Sequence, residues 1–257
     1  MKILKKSKSL NTKMDQRWLD SAGINHFWMN WRFKFLITQL KENKIQIKKS
    51  LKIMDLGCGN GVLSNQLEKR FKIKIDRVDS NEDSLKLNQN VKGRIICYNI
   101  KEKKKKLRNY YDLIFIFDVI EHVKNDNNFL KDVLFHLKSN GIVIINVPSI
   151  QKLFSKYDKA VGHLRRYSKK DFKILNSKLN IHLISINYWG LLLLPILILR
   201  KFMLLFYKKK NYKKIISDGW KTNKYFNVFF KILMNLELKF FKNIYCGTSL
   251  MIFFKKP

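Results

Sequence analysis

Cysteine is scarce in this sequence of 257 residues: Cys58, Cys97 and Cys246 lie far apart and share neither a CxxC nor another metal-ligand spacing. That spacing excludes a disulfide framework and a cysteine-based zinc module, and it predicts free thiols in a reducing compartment. An apolar signal core is also missing, because residues 1–16 are mostly basic and polar. We therefore expect no secretory signal peptide here.

Acidic residues are scarce as well, with 19 Asp and Glu against 53 Lys and Arg, a formal net charge of +34. This excess favours a polyanionic partner, either nucleic acid or an anionic membrane surface. A codon bias toward A and T would also produce abundant Lys together with Asn, Ile and Phe. Because no helix-turn-helix, aromatic RNA-binding signature or zinc module is present, nucleic acid is the weaker of the two expectations.

Strands and helices alternate regularly from residue 51 onward. Nearly continuous apolar strands, such as LIFIF at 113–117, indicate burial on both faces. The alternation predicts an α/β fold, with a parallel sheet covered by helices on both faces. The predicted strands are 51–56, 73–78, 94–98, 111–117, 142–147, 181–189 and 246–254, and the predicted helices are 15–40, 62–70, 82–90, 125–138 with Gly141 as its stop, and 169–177.

A glycine-rich loop, Gly57-Cys58-Gly59-Asn60-Gly61, directly follows the first of these strands. Ligands of open parallel sheets bind beyond the carboxyl ends of the strands, so this loop is expected to line a ligand site. Its GxGxG spacing differs from the GxGxxG that places a pyrophosphate on a helix, and Asp55 beside it would repel one. Asp79, at the end of the second strand, suits the two hydroxyls of a ribose. A ribose, a cationic group and no pyrophosphate together describe S-adenosylmethionine.

Four stretches of the sequence resemble a known family. They read MDLGCGNG at 54–61, VDSNEDSL at 78–85, YDLIFIFDVIEHV at 111–123 and LKSNGIVIINVPS at 137–149. They are similar to the first motif, the ribose-binding acidic motif, the fourth-strand motif and the fifth-strand segment of the class I S-adenosylmethionine-dependent methyltransferases. The resemblance covers roughly residues 25–257.

This resemblance implies a fold and a cofactor site. The fold is a Rossmann-like, doubly wound sheet of seven strands in the order 3-2-1-4-5-7-6, with strand 7 antiparallel. Asp55 would lie near the methionine ammonium, and Asn99 stands where many members have an Asp that contacts the adenine amine. The implied cofactor-binding residues are Asp55, Gly57, Gly59, Gly61, Asp79, Asn99 and Asp118.

The fourth-strand motif ends in a first candidate for chemistry, the segment DVIEH at 118–122. If the chain turns helical there, Asp118, Glu121 and His122 share a face and have the donors for a divalent ion such as Mg²⁺. The segment resembles the EVxEH of the ubiquinone-biosynthesis O-methyltransferases, whose acids and histidine are linked to a divalent metal. Alternatively, DVIEH only shapes the cofactor pocket and caps a helix. His122 is, separately, one of two predicted catalytic residues.

A second candidate is the segment GHLRRY at 162–167, between the fifth strand and the next helix. His163 is the first choice of general base, because its ordinary pKa suits proton transfer near neutrality. The arginines suit a phosphate or carboxylate on the acceptor, so Arg165, Arg166 and Tyr167 are predicted to bind substrate. The segment resembles a bacterial subgroup associated with glycan and lipid modification. The alternative is that Arg and Tyr brace a lid.

Residues 190–243 form an apolar and basic insertion between strands six and seven. The run 191–199 is interrupted by Pro195 and is too short to span a bilayer, so a membrane surface, a lid over the core or a dimer interface are the alternatives. The predicted organisation is a helical segment over the cofactor pocket at 1–50, a methyltransferase core at 51–189 with 244–257, and a helical insertion at 190–243.

The resulting functional expectation is a methyltransferase that uses S-adenosylmethionine on a small or lipid-linked acceptor, by in-line displacement at oxygen. The expected location is cytoplasmic, with peripheral contact to the inner face of the membrane. An RNA methyltransferase is favoured only by the charge, and the (D/N)PP(Y/F) signature of nucleobase methylation is replaced by FDVIEH at 117–122. A binding or scaffold module that keeps the fold without chemistry is the remaining alternative.

Overall fold

A single mixed sheet organises the computed structural model, which describes residues 2–10, 23, 26–206, 224–241 and 244–257. Its strands are β1 (Ile3–Lys5), β2 (Ile53–Leu56), β3 (Asp76–Asp79), β4 (Ile95–Cys97), β5 (Tyr111–Phe117), β6 (Leu137–Pro148), β7 (His182–Trp189) and β8 (Ser249–Lys255). The α-helices are α1 (Phe27–Glu42), α2 (Val62–Phe71), α3 (Glu82–Lys86), α4 (Asp126–His136), α5 (Lys156–Val161), α6 (Lys169–Leu179), α7 (Leu194–Leu205) and α8 (Lys224–Phe240).

The strands lie in the order β1-β4-β3-β2-β5-β6-β8-β7. The seven strands β2 to β8 therefore have the predicted order 3-2-1-4-5-7-6, and β8 runs antiparallel between β6 and β7 as expected. The predicted α/β, Rossmann-like fold is confirmed. Since β2 and β5 are neighbours, the strand order reverses beside β2, and this is where ligands of such sheets bind.

The eighth strand is a correction to the predicted sheet of seven. Residues 1–50 were expected to form a helical segment, but Ile3–Lys5 pair in parallel with Ile95–Cys97 at the sheet edge. Backbone bonds continue this contact, because the amides of Lys6 and Ser7 both donate to the carbonyl of Cys97. The edge of β4 thus supplies the partner that makes so short a segment a strand.

Apolar side chains cover both faces of the sheet, as expected of central parallel strands. One face holds Ile114 and Ile116 of β5 with the helices α4 and α6. The other holds Phe115 and Phe117 with α1, α2 and part of the insertion. The core of α1 includes Trp31 and Leu36, both fully buried. The helix begins at Phe27, after His26 accepts a hydrogen bond from the amide of Trp28 at 3.2 Å.

Several predicted boundaries shift. Helix α4 ends at His136, so Gly141 does not stop it; Gly141 lies inside β6, which is longer than predicted. Helix α3 ends at Lys86 rather than residue 90. The last strand begins at Ser249 rather than 246. Helix α1 covers the end of the predicted 15–40 helix, and most of the remainder, 15–22 and 24–25, lies outside the described residues.

The predicted insertion contains two helices in its described part, α7 and α8. Glu237 of α8 links this helix to the turn that precedes α7. Its buried carboxylate accepts hydrogen bonds from the amides of Gly190 at 2.6 Å and Leu192 at 2.9 Å. Phe230 of α8 stacks on Phe27 of α1, with ring centroids 4.4 Å apart. Among the residues described, no helix has both the length and the apolar character that crossing a bilayer requires.

Candidate active site

The glycine loop turns sharply between β2 and α2. Gly57, Gly59 and Gly61 all have positive φ, at 71°, 53° and 75°, a region that residues with a Cβ rarely adopt. A Cβ on Gly61 would lie 2.0 Å from Oδ1 of Asn88, and one on Gly57 would lie 2.4 Å from Cγ2 of Val119. The loop is therefore held close to its neighbours on two sides, and its remaining backbone lines a pocket of about 40 Å³.

Two carboxylates flank this loop, of which Asp55 is buried and Asp79 is partly buried. Asp55, at the end of β2, accepts a hydrogen bond from Oγ of Ser64 at 2.7 Å. Burial raises the pKa of Asp55 to about 6, although the Ser64 hydrogen bond and nearby arginines act in the opposite direction. Asp79, at the end of β3, accepts from the amides of Gly59 at 3.1 Å and Asn81 at 2.9 Å, and burial raises its pKa too. Both carboxylates suit a ligand that brings a cationic group and hydroxyls.

Asn99 follows β4 and caps a short 3₁₀ turn, with its Oδ1 accepting from the amide of Lys101 at 3.2 Å. Its own amide donates to Oγ of Ser7 at 2.9 Å, so the segment after β1 lies beside it. Asn99 therefore stands in the row of strand ends that also carries Asp55 and Asp79. Its location after the third predicted strand is the expected one. Its contact with an adenine stays a prediction.

Arg32 is a site residue that sequence reasoning missed. It projects from α1 into the glycine-loop pocket, and its buried guanidinium donates to the carboxylate of Asp118. It also lies 5.2 Å from the ring centroid of Phe117. The second oxygen of Asp118 accepts from Nδ2 of Asn146 at 2.8 Å, so both oxygens of Asp118 are engaged. Asp118 itself has a φ of 57°, which Asp tolerates better than most residues.

A second cavity, of about 80 Å³, shares Asp118 with the glycine-loop pocket. We call it the histidine cavity, because His122 and His163 lie in its wall with their ring centroids 4.8 Å apart. Its other lining residues include the apolar or aromatic side chains of Trp28, Tyr157, Val161 and Leu197 and the charged side chains of Glu121, Asp158, Arg166 and Arg200. The two cavities are therefore adjacent, and Asp118 lines both of them.

Asp158 anchors His163, and sequence reasoning missed it as well. Oδ1 of Asp158 accepts from Nδ1 of His163 at 3.0 Å and from Nε of Arg166 at 2.9 Å. Burial alone would raise the pKa of Asp158, but the His163 hydrogen bond and the Arg166 charge lower it to about 2. Because Nδ1–H of His163 donates its hydrogen bond to the Asp158 carboxylate, Nε2 is left as the acceptor of that imidazole.

His122 and Glu121 complete the polar side of the histidine cavity. Nδ1 of His122 lies 3.1 Å from the carbonyl of Gly162, which can only accept, so Nε2 is again the free acceptor. Burial and the neighbouring His163 lower the pKa of His122 to about 4. The carboxyl of Glu121 is fully buried, lacks a hydrogen-bond partner and lies 3.9 Å from Nε2 of His163. Burial, and then the charge of Asp118, raise the pKa of Glu121 well above its ordinary value.

Arg165 and Tyr167 of GHLRRY lie apart from the histidine cavity. Arg165 donates to Oδ2 of Asp126 at 3.2 Å and to the carbonyl of Lys124 at 2.7 Å. The hydroxyl of Tyr167 is 3.3 Å from both Asp126 and the carbonyl of Ile120. Both side chains therefore brace the segment after β5, which corresponds to the bracing alternative. Of the three predicted substrate-binding residues, only Arg166 lines the histidine cavity, and its guanidinium is paired with Asp158.

The predicted metal-binding set is divided by the fold. Asp118 is engaged by Arg32 and Asn146, whereas Glu121 and His122 have potential ligand atoms within 4.8 Å of those of His163. Mg²⁺ prefers oxygen ligands in an octahedral arrangement, and a set with two imidazoles does not fit that preference. We therefore treat these three residues as an acid–base group and assign no step to Mg²⁺.

A family model places the chain among known proteins. The model of the methyltransferase domain family matches residues 28–186, which is more than half of the chain. The ubiquinone biosynthesis O-methyltransferase of Rickettsia prowazekii is 32% identical over 155 residues, 56% of this chain and 59% of that one. The enzyme of the same name from Rickettsia canadensis is 31% identical over 142 residues, 52% and 59% of the two chains. The chain thus spans just under three fifths of the length of these curated relatives.

Solved structures share the fold at low identity. A SAM-dependent methyltransferase from Archaeoglobus fulgidus superposes with a TM-score of 0.54 at 18% identity, covering 94% of this chain and 100% of that one. Phosphoethanolamine N-methyltransferase 2 of Haemonchus contortus, solved with S-adenosyl-L-methionine, gives 0.52 at 16%, covering 84% and 52%. The positive-φ glycines and the carboxylates at two successive strand ends fit this cofactor. The chain therefore belongs to the methyltransferase domain family and is of the class I, S-adenosylmethionine-dependent type.

Proposed function

We propose that this protein methylates a hydroxyl oxygen on a small, partly apolar acceptor that binds in the histidine cavity. The observation that carries the proposal is the junction at Asp118, where the cofactor pocket and a cavity with two histidines meet. When bound, S-adenosylmethionine would supply an electrophilic methyl group. Asp55, Asp79 and the glycine loop would hold it on their side of the junction.

The residues of the histidine cavity support oxygen as the acceptor atom. A hydroxyl must lose its proton during transfer, so a nearby base increases the rate. His163, held by Asp158, presents its Nε2 to the cavity, and His122 has a lowered pKa that keeps its own imidazole neutral at pH 7. Either imidazole would accept the hydroxyl proton, and the anchored His163 is our assignment.

The character of the acceptor follows from the lining of this cavity. Trp28, Tyr157 and Leu197 offer aromatic and apolar contact, whereas Arg200 brings a positive charge from the insertion. The relatives' name, ubiquinone biosynthesis O-methyltransferase, agrees with a ring-bearing hydroxyl acceptor. Because α7 lines this cavity, we also propose acceptors that carry an apolar tail. Such acceptors would place the protein on the inner face of a membrane.

A methyl-transfer assay tests this proposal. The protein is incubated with methyl-labelled S-adenosylmethionine and one of three acceptors: a catechol with an alkyl chain, the same compound with both hydroxyls already methylated, or RNA. We expect label on the free catechol alone. Transfer to RNA would replace the proposal with nucleic-acid methylation. Intact cofactor binding with no transfer to any hydroxyl compound would favour a binding module.

His163→Ala separates the assigned base from general damage, and His182→Ala is its matched control. His182 is an exposed histidine at the start of β7, which is the edge strand of the sheet and is separated from β2 of the cofactor pocket by three other strands. We expect His163→Ala to lower kcat about 10²- to 10⁴-fold, the usual contribution of a positioned base, with little change in cofactor affinity. Equal rates for the two variants would remove His163 from the mechanism.

A further inference from the structure

The two helices of the insertion expose an unusual amount of apolar surface. On α7, the side chains of Leu199, Phe202 and Met203 are 56–61% exposed. On α8, Phe226, Phe229 and Ile232 are 50–57% exposed. Exposed apolar side chains grouped in this way are typical of surfaces that interact with a protein or a membrane. We call the exposed apolar side chains of α7 and α8 the insertion face.

The charged side chains exposed on these helices are all basic. Glu237 is the only acidic residue within α7 and α8, and it is buried against the turn before α7. The basic residues Lys201, Lys231 and Lys239 lie at least partly exposed on the same helices. Two copies of such a face would bring like charges together, in a chain whose formal net charge is already +34. An anionic surface would instead be attracted by these basic residues.

From this combination we propose that the insertion face docks on the surface of an anionic lipid bilayer. Apolar side chains with basic neighbours are the pattern of helices that lie in a membrane interface rather than across it. The described helices are also unable to span a bilayer, which agrees with surface docking. The face lies outside residues 28–186, the part that the family model matches.

The same helix connects this surface to the candidate active site. Leu197 and Arg200 of α7 line the histidine cavity, while the neighbouring Ile198 and Leu199 are exposed. One helix therefore has the bilayer on one side and the acceptor on the other. An acceptor with a polar ring and an apolar tail would reach the cavity without its tail leaving the lipid. This last step rests on the proposed function, whereas the docking itself does not.

Vesicle co-sedimentation tests the docking directly, in the absence of cofactor and acceptor. The full-length protein is mixed with phosphatidylcholine vesicles that contain either no anionic lipid or about 30% phosphatidylglycerol. The anionic lipid gives the vesicle surface a negative potential. We expect binding to the anionic vesicles and little to the neutral ones. Binding should weaken as salt rises, because surface charges are screened.

Matched isoleucine variants locate the contact. Ile198→Glu with Ile232→Glu places charge on the insertion face, at side chains 43% and 53% exposed. Ile174→Glu makes the same change on α6, where the side chain is 41% exposed. We expect the double variant to lower the partition coefficient at least about tenfold and the control to leave it unchanged, since a charge must then enter the interface.

Three outcomes would overturn the proposal. Equal vesicle binding by the double variant and by Ile174→Glu would place the contact elsewhere. Absence of binding by the wild type to anionic vesicles would exclude the bilayer. A dimer in sedimentation velocity that dissociates in the double variant, without vesicle binding, would assign the face to a second copy. Cofactor titration of the same samples keeps a failed docking distinguishable from a failed methyltransferase assignment.

Discussion

Asp158→Asn is the substitution whose effect the structure defines most closely. Two helices of this chain begin with the same capping box, Ser155 with Asp158 on α5 and Ser168 with Asp171 on α6. Asp171 is exposed and only caps its helix. Asp158 is buried and, besides capping, pairs with Arg166 and His163. Asp171→Asn is therefore the control that subtracts the capping contribution, and the difference between the variants reports the buried pairing.

The magnitude follows from the pKa of Asp158. Folding lowers it from 3.8 to about 2, which corresponds to about 2 kcal/mol of stability at neutral pH. A second estimate of the same loss comes from other buried ion pairs, in which removing one partner costs about 3–5 kcal/mol; here asparagine would leave the Arg166 guanidinium buried without its counter-charge. We expect Asp158→Asn to lower the free energy of unfolding by about 2–5 kcal/mol more than Asp171→Asn. In a chain of this size, each kcal/mol lowers Tm by about 2–4 °C.

Urea unfolding followed by circular dichroism measures this difference at pH 7 and again at pH 3. A carboxylate with a depressed pKa contributes its stability above its unfolded pKa and loses it as the pH falls toward the folded one. The gap between the variants should therefore narrow as the pH falls from 4 toward about 2. Equal free energies of unfolding for the two variants at pH 7 would refute the assigned pairing, and a gap independent of pH would refute its electrostatic origin.

Three further predictions concern function and pH. Folding raises the pKa of Asp55 to about 6. The neutral carboxyl therefore contributes to the free energy of unfolding in full below pH 3.8, and this contribution is lost as the pH rises through 6. In Asp55→Asn, urea unfolding at several pH values should no longer show this loss. A cationic ligand favours ionised Asp55, so affinity for S-adenosylhomocysteine should fall below pH 6, with proton release detected by calorimetry in two buffers; affinity that is constant from pH 5 to 8 would contradict this. Turnover should be unchanged by EDTA, because we assign no step to Mg²⁺, and a loss restored by added metal would overturn that assignment.

The fold was predictable from sequence because its signals are local and repeated. Apolar runs such as 113–117 separate helices of ordinary length, and the glycine loop marks the first strand and its helix. The strand β1 was not predictable in this way, since Ile3 and Leu4 gain their conformation from the free edge of β4. Boundaries shifted where no breaker is present, as at the direct passage from α4 into β6 at Leu137.

The cofactor side of the site was predictable for the same reason, because Asp55 and Asp79 lie at the ends of two strand patterns. The other side depends on contacts between distant segments. Arg32 meets Asp118 across 86 residues, and no local pattern indicates that pairing. Asp158 reads in the sequence as an ordinary helix-capping acid, and only the fold adds His163 and Arg166 to it. A loop has no period, so sequence reasoning had no basis for separating Arg166, which lines the cavity, from Arg165, which does not.

Calorimetric titration with S-adenosylhomocysteine tests the central claim, that the glycine loop and the two strand-end carboxylates form a cofactor site. Asp79→Ala removes the carboxylate that faces the loop, and Asp83→Ala removes an exposed acid of the following helix as its control. Circular dichroism verifies that each variant is folded. We predict micromolar binding by the wild type and by Asp83→Ala, and its loss in Asp79→Ala. Absence of binding by the folded wild type, or equal binding by both variants, would contradict the account.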